Sequence, residues 1–456
     1  MKDLTIGKES KLIFRFAIPM LLGNIFQQLY NVVDSAIVGR FLGKEALASV
    51  GASFPIIFAL IALIIGIGTG FGIVISQYYG AKEIDKVKRT ISTMFISLGL
   101  VSIIMTLIGI SLSGPIFRLL KLPPDLMPHA IEYLNIYLIG IVAMFGFNGT
   151  CAVLRGLGDS KTPLVFLIIS TVINIILDLV FILIFGWGIA GAAWATVISQ
   201  AGAFITAVIY LNRTHSIISF KLSEWNFDWE IMRHGIRIGL PSGLQQTFVA
   251  MGMMALMGIV NSFGTDVIAA YSVGARIDSF VALPAMAFSA ALATFTGQNL
   301  GAGKDERIRK GLIATTSMAS IFCILTTILI ILFRQPLMGL FNQDSEVIRI
   351  GSEYLTIVNV FYILFVLMFV TYGVLRGAGA TLIPMFISVL SLWIIRIPLA
   401  AVLSESYGEK GIWWSIPIAW AIGLTGSIIY YLSGKWKGKV ITGPIKIEVD
   451  ELLEST

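Results

Sequence analysis

Residues Gln27–Arg40 read QQLYNVVDSAIVGR and close an apolar run that starts near Leu12. At helical spacing Gln27, Tyr30, Asn31 and Asp34 stand at i, i+3, i+4 and i+7, which puts them on one stripe. The other face is Leu, Val, Ile and Ala. Asp34 is therefore a carboxylic acid inside an apolar helix. In a bilayer such an acid costs about 2.5–3.5 kcal/mol even on the lenient insertion scale. A chain tolerates that cost where the acid faces a bundle interior or a watery cavity, so an intramembrane acid points to function.

Composition agrees with the membrane reading of this stretch. The chain has 456 residues, 57% hydrophobic and 13% charged, with a mean hydropathy of +0.89. Ordinary soluble domains carry about 25% charged residues. Apolar runs of about 20 residues recur along the chain, the signature of an all-α polytopic membrane protein. An outer-membrane barrel is excluded, because its strands alternate over about 10 residues. The net charge of +6 resides in short loops and is no sign of nucleic-acid binding. Cys151 and Cys323 lie in or beside apolar runs and define no disulfide framework. The first apolar run is long and polar-striped, so it reads as a span and not as a cleavable signal. No Walker motif, metal cluster or nucleophilic triad is present. The chain thus reads as a non-enzyme without a cofactor, and ATP-driven pumping would need another chain.

Twelve spans are predicted, at 12–38, 53–76, 91–113, 129–154, 163–185, 190–211, 236–262, 272–298, 311–333, 348–374, 384–404 and 412–432. Of the 32 lysines and arginines, 23 fall at the termini and even-numbered loops and 7 in odd-numbered loops. By the positive-inside rule both termini are cytoplasmic. The chain also repeats itself. Gln77, Gly80 and Ala81 recur 221 residues later as Gln298, Gly301 and Ala302. At the same shift Leu154-Arg155-Gly156-Leu157-Gly158 recurs as Leu375-Arg376-Gly377-Ala378-Gly379, and Tyr133 recurs as Tyr354. Pro19 pairs with Pro241, one residue off. Six spans per copy give both copies the same topology, related by a pseudo-two-fold axis along the membrane normal. The expected organisation is an N-terminal lobe at 1–212, an inter-lobe linker at 213–235, a C-terminal lobe at 236–434 and a tail at 435–456.

The polar residues converge in the first lobe. Asn174 and Asp178 share a face of span five, and Thr196 lies in span six. Counted from the outer ends of their spans, Asp34, Asp178, Thr196 and Asn174 lie at depths of roughly 6–17 Å. Carboxylates, an amide and a hydroxyl are hard ligands suited to a small cation. Desolvated and mutually repelling, the same two acids can carry a proton instead. The copy in the C-lobe lacks them: Asp34 maps near Leu256, Asn174 to Ile395 and Asp178 to Leu399. A purely architectural role would have appeared in both halves. Gln27, Tyr30 and Asn31 are expected to line a substrate cavity, and Pro19 to act as a hinge. The C-lobe has its own polar residues: Gln245, Gln246 and a group of methionines in span seven, Arg276 and Asp278 in span eight, and Arg396 in span eleven. An Arg396–Asp278 pair is one reading of the last three.

The pattern resembles the multidrug and toxin extrusion (MATE) family of secondary transporters over nearly the whole chain. The resemblance rests on the Pro19…Asp34-x-x-x-x-Gly39 span, the two Gln-x-x-Gly-Ala loop entries and the two Leu-Arg-Gly-x-Gly turns. In the DinF-type branch a cation site uses an aspartate of span one, an Asn-x-x-x-Asp pair in span five and a threonine of span six. Those positions here are Asp34, Asn174, Asp178 and Thr196, which are also the metal ligands if the ion is sodium. Gln27 and Tyr30 match cavity-lining positions. The NorM-type branch adds acids in spans seven and ten. Here span seven has Gln245 and Gln246, and span ten has only Glu353 at its entry. The resemblance implies an antiporter coupled to H+ or Na+ that exports amphipathic or cationic organic compounds by alternating access. It would sit in the bacterial plasma membrane, with the lipid bilayer and small organic substrates as partners and no obligate protein partner. The alternative is a lipid-linked precursor flippase of the same superfamily, which would want a basic cavity. Arg276 and Arg396 are the residues that would speak for it.

Overall fold

The computed structural model describes residues 2–214 and 225–442. Residues 215–224 of the linker and the tail from 443 onward lie outside the described residues. The first half consists of α1 (Glu9–Phe41), α2 (Gly43–Gly80), α3 (Ile84–Leu119), α4 (Met127–Ile139), α5 (Ile141–Gly156), α6 (Lys161–Leu179) and α7 (Gly188–Thr214). The second consists of α8 (Trp229–Asn261), α9 (Thr265–Gly301), α10 (Asp305–Gly339), α11 (Ser345–Val360), α12 (Tyr362–Gly377), α13 (Leu382–Val389), α14 (Ile397–Tyr407) and α15 (Glu409–Leu432). Short π-helical turns continue α6 over Val180–Ile184 and join α13 to α14 over Leu390–Arg396. Among the described residues ten helices are long and apolar enough to cross a membrane, and two bent pairs bring the count to twelve. The outer faces are apolar, as lipid chains require: α3 exposes Leu100, Ile103 and Leu107, and α10 exposes Ile321, Leu325 and Leu332.

The repeat is visible in the backbone. The fourth span bends by 49° between α4 and α5, and the tenth by 46° between α11 and α12. The break residues, Gly140 and Phe361, are 221 apart. The bend therefore does not depend on glycine. The two Leu-Arg-Gly-x-Gly turns do: Gly158 and Gly379 both sit at φ +83°, where a side chain would be strained. Each reverses the chain after a span. The seventh span starts earlier than expected, because Asp228 caps α8 by accepting from the Glu230 and Ile231 backbone N–H groups.

Each lobe has its own hydrophobic core. Two helices cross between them. Leu12, Ile13, Phe16 and Ala17 of α1 are buried in the core of the second lobe, whereas Ile37 and Val38 belong to that of the first. In α8 the sense reverses: Ile231 and Ile238 enter the first core, and Leu256 and Val260 the second. Pro19 and Pro241 lie at these two changeovers, inside otherwise continuous helices.

The lobes meet closely at the end of the bundle that carries both termini. There α2 and α8 cross on glycines. A Cβ at Gly66 would lie 2.4 Å from the Gly243 Cα, and one at Gly70 would lie 2.3 Å from the Gly235 carbonyl oxygen. Small residues let membrane helices approach to backbone contact. Beyond the crossing, the repeated glutamines lock across the seam. Gln77 Nε2 donates to the Gly377 carbonyl at 2.9 Å, and Gln298 Nε2 to the Gly156 carbonyl at 3.0 Å. Gln77 Oε1 accepts from the Ile441 N–H and Gln298 Oε1 from the Leu4 N–H, both at 2.9 Å. Both side chains are fully buried with every amide group partnered, so the clasp costs no desolvated polar atom. The N-terminal segment is strapped over this end by Asp3–Lys82 at 2.7 Å and Glu9–Arg307 at 3.0 Å.

Candidate functional site

Toward the opposite end, α1 packs on α6 and α7 within the first lobe and brings Asp34 against the Asn174–Asp178 face. Asp178 and Asn174 are buried, as is Thr196; Asp34 is half-buried. The π-helical turn that continues α6 begins two residues after Asp178. Such turns widen a helix locally and recur at functional sites.

The side chains of Asp34 and Asp178 come within hydrogen-bonding reach of each other. Two carboxyl groups bond only if one of them carries a proton. Asn174 orients its amide nitrogen to donate to Asp178 Oδ2 at 3.0 Å, while its carbonyl accepts from the Thr196 backbone N–H at 3.1 Å. Asp178 Oδ1 receives no donor from the described residues. The Thr196 hydroxyl donates back to the Ala192 carbonyl at 3.2 Å and stands 3.3 Å from the Tyr30 hydroxyl. Its single proton is engaged by its own helix, so Tyr30 is the donor in the second contact. Tyr30 thus belongs to the acid site itself.

Gln27 and Tyr30 line a void of about 10 Å³ with Ser170, Asn174, Ser199 and Gln200. That is room for about one water-sized occupant, far too little for an organic cargo. Asn31 does not join them. It is exposed and donates to Gln28 Oε1 at 3.3 Å. Successive residues turn by about 100° on a helix, so Asn31 lies one such step from Tyr30 and clears the buried face. The spacing i, i+4 is too coarse to tell the centre of the stripe from its edge. Two residues that the polar stripe does not single out are buried in the same lobe: Tyr133 and Tyr137 of α4, whose rings lie 6.4 Å apart. Their one legible signal is the recurrence of Tyr133 as Tyr354.

The carboxylates, the Thr196 hydroxyl and the Asn174 amide oxygen are the hard ligands a small cation takes, and a pair of neighbouring carboxyl groups can equally hold a proton. Among the described residues, no group of three or more His, Cys, Asp or Glu side chains converges.

In the second lobe the positions of the acid pair are apolar and packed, with Leu256 fully buried. Its polar residues gather elsewhere, around a cavity of about 390 Å³ that Gln245, Gln246, Met253, Asp278 and Arg396 help to line. Arg276 is exposed on the far side of α9. Arg396 and Asp278 form no ion pair. The Asp278 carboxylate accepts instead from the Tyr354 hydroxyl and from Asn359 Nδ2 at 3.5 Å. Glu353 pairs with Arg349 and Lys410, each at 3.3 Å, at the lobe's rim.

Comparison with known proteins agrees with this architecture. The MatE family profile matches residues 19–180 and again 241–402, so each match opens on a changeover proline. The chain is 35% identical over 435 residues to the probable multidrug resistance protein YpnP of Bacillus subtilis (strain 168), covering 95% of this chain and 97% of that one. A second protein so described in that organism, YoeA, is 33% identical over 437 residues, 94% of each chain. A solved structure described as the outward-facing conformation of a multidrug resistance MATE family transporter superposes with a TM-score of 0.90. It shares 24% identity and covers 96% of this chain and 99% of that one, a likeness of fold.

Proposed function

The chain belongs to the MATE family of membrane transporters, and on that premise we propose that it is a cation-coupled antiporter exporting amphipathic, often cationic, organic compounds by alternating access. The observation that carries the coupling is the approach of Asp34 to the buried Asp178, two carboxyl groups within hydrogen-bonding reach inside an apolar bundle. Asp34 and Asp178 take the coupling ion, and Asn174, Thr196 and Tyr30 complete its surroundings. The acid pair can hold H+, and with the Asn174 and Thr196 oxygens turned to it the same site can hold Na+. Gln27 lies at the mouth of the site. Pro19 is the hinge. It separates the part of α1 anchored in the second lobe from the part that bears Asp34. Occupancy of the acid pair thereby reaches the lobe seam along one helix. The end bearing both termini is cytoplasmic in the bacterial inner membrane, which accords with the basic residues gathered there. The glutamine clasp and glycine crossing at that end then belong to the outward-facing state. The acidic first-lobe site disfavours a lipid-linked precursor flippase; of the two arginines that would speak for it, Arg276 is exposed and Arg396 lines the second-lobe cavity.

Flux in proteoliposomes, with pH and sodium gradients imposed separately, tests the proposal. Export driven by an inward proton gradient alone is expected. Export unaffected by either gradient would refute ion coupling.

A further inference from the structure

The cavity of the second lobe has a charge set opposite to that of the acid site. It is walled by α8, α9, α12, α15 and the π-helical turn that carries Arg396. Its volume of about 390 Å³ falls at the small end of ligand pockets. Two guanidinium groups and one carboxylate reach it: Arg376 from the end of α12, Arg396, and Asp278. The carboxylate is already held by Tyr354 and Asn359 and pairs with neither arginine. Arg376 Nη2 donates to Gln245 Oε1 at 3.0 Å, and its Nε has no partner. Gln245 is in turn fixed by Ser388 Oγ at 2.5 Å and the Pro384 carbonyl. Arg396 is buried and its Nε is unpartnered; its Nη1 donates to the Met253 sulfur at 3.5 Å, a weak acceptor, and the guanidinium lies beside the Tyr271 hydroxyl. A guanidinium offers five donors and keeps its charge, and buried charges are ordinarily paired. Here two lie on one cavity with donors unspent and a surplus of one positive charge.

The apolar wall narrows the ligand further. Phe365 lies 4.2 Å from Phe369 and 5.3 Å from Trp420, centroid to centroid, so flat rings face the cavity. Met253, Met286 and Met368 fill between them with adaptable side chains. Trp393 Nε1 donates to the Phe248 carbonyl at 3.0 Å and fastens the π-helical turn that sets the position of Arg396. We propose that this cavity binds a planar aromatic compound bearing a single anionic group, whose oxygens engage Arg376 and Arg396 while its ring stacks among Phe365, Phe369 and Trp420. Intramembrane cations mark paths for anionic substrates, and carboxylate, sulfonate and phosphate share the geometry that a guanidinium fork takes. The site does not rest on the coupling role of Asp34: it is filled or empty without a gradient.

Binding of three probes with one ring system decides it: 2-naphthoate, neutral 2-naphthamide and (2-naphthyl)methylammonium, measured by calorimetry on the detergent-solubilised full chain. Naphthoate should bind wild type at least about tenfold more tightly than the amide, with the ammonium weakest. Arg396→Gln and Arg376→Gln should each weaken naphthoate about tenfold or more and leave the amide within about twofold. Arg276→Gln, outside the cavity, should change nothing. The charge series on wild type needs no variant to fold. Equal affinity for the three probes, tighter binding of the ammonium, or naphthoate affinity unchanged in Arg396→Gln would overturn the assignment, whatever the flux experiment finds.

Discussion

The two lobes share a frame and differ in charge. In the first, two acids sit beside Asn174, which with Gln27 and Tyr30 lines a void of only about 10 Å³. In the second, two arginines and a tethered acid open on about 390 Å³. The shared parts are mechanical: the span bends of 49° and 46°, the turn glycines at φ +83°, and the prolines where α1 and α8 pass from one core to the other. Even the tyrosine is shared. Tyr133 is buried in the first core, and its copy Tyr354 donates to Asp278 of the eighth span. The frame supplies hinged halves, and the charges assign a separate task to each half.

The comparison breaks first at the acids. Asp34→Asn and Asp178→Asn should each cut gradient-driven export on the order of 100-fold, near the upper range of a coupling free energy, with the protein folded and inserted. Asp278→Asn should leave the response to the gradient in place. Equal loss in all three, read in proteoliposomes, would mean that the lobes do not divide the work. Next comes the seam, which belongs to neither lobe. Gly70→Val puts branched carbon where a Cβ alone would be 2.3 Å from the Gly235 oxygen. Overpacking costs about 1–3 kcal/mol, so Tm in detergent should fall and closure at the terminal end should fail. An unchanged Tm would show the crossing to be loose.

The clasp sharpens the symmetry. Gln77→Ala and Gln298→Ala each remove one bond to the opposite lobe's turn and one to a terminal segment. Each leaves buried groups unpaired, at about 1–3 kcal/mol, and the two losses should match. A large inequality in thermal stability would make one lobe the anchor. The smallest effect is at the strap. Burial works against the Asp3 carboxylate, but the bonds from Lys82 and Thr5 prevail and hold its pKa down to about 2. The folded value lies below the ordinary 3.8, so the contribution is present above that value and is lost as pH falls toward about 2. The Tm difference between wild type and Asp3→Asn should be small and should vanish over that window.

Much of this architecture is legible in the amino-acid sequence. Span count and repeat follow from apolar length and a constant shift, because lipid forces every backbone group into a helix. Asp34, Asn174, Asp178 and Thr196 stand out because a polar residue in an apolar span needs a reason. Tyr133 and Tyr137 do not, since tyrosine in a span passes for packing or an interfacial anchor. Asn31 shares the stripe but is exposed, because spacing gives a helix face and not its centre. Arg276 and Arg396 look alike in sequence, yet one faces outward and the other is turned inward by a π-helical turn that no periodicity announces. The changeover of α1 and α8 between cores is hidden for a simpler reason: both cores are built of the same aliphatic residues.

The central claim is that the acid pair, and not the second lobe, links ion to cargo. Equilibrium binding of ethidium, a fluorescent amphipathic cation, to detergent-solubilised protein over a grid of pH and sodium concentration tests it directly. Reciprocal linkage requires that acid or sodium raise the wild-type dissociation constant, typically by about 5–150-fold. Asp34→Asn should bind with one affinity across the grid. An Asp34→Asn protein whose ethidium affinity varied with pH and sodium as wild type does would contradict the account.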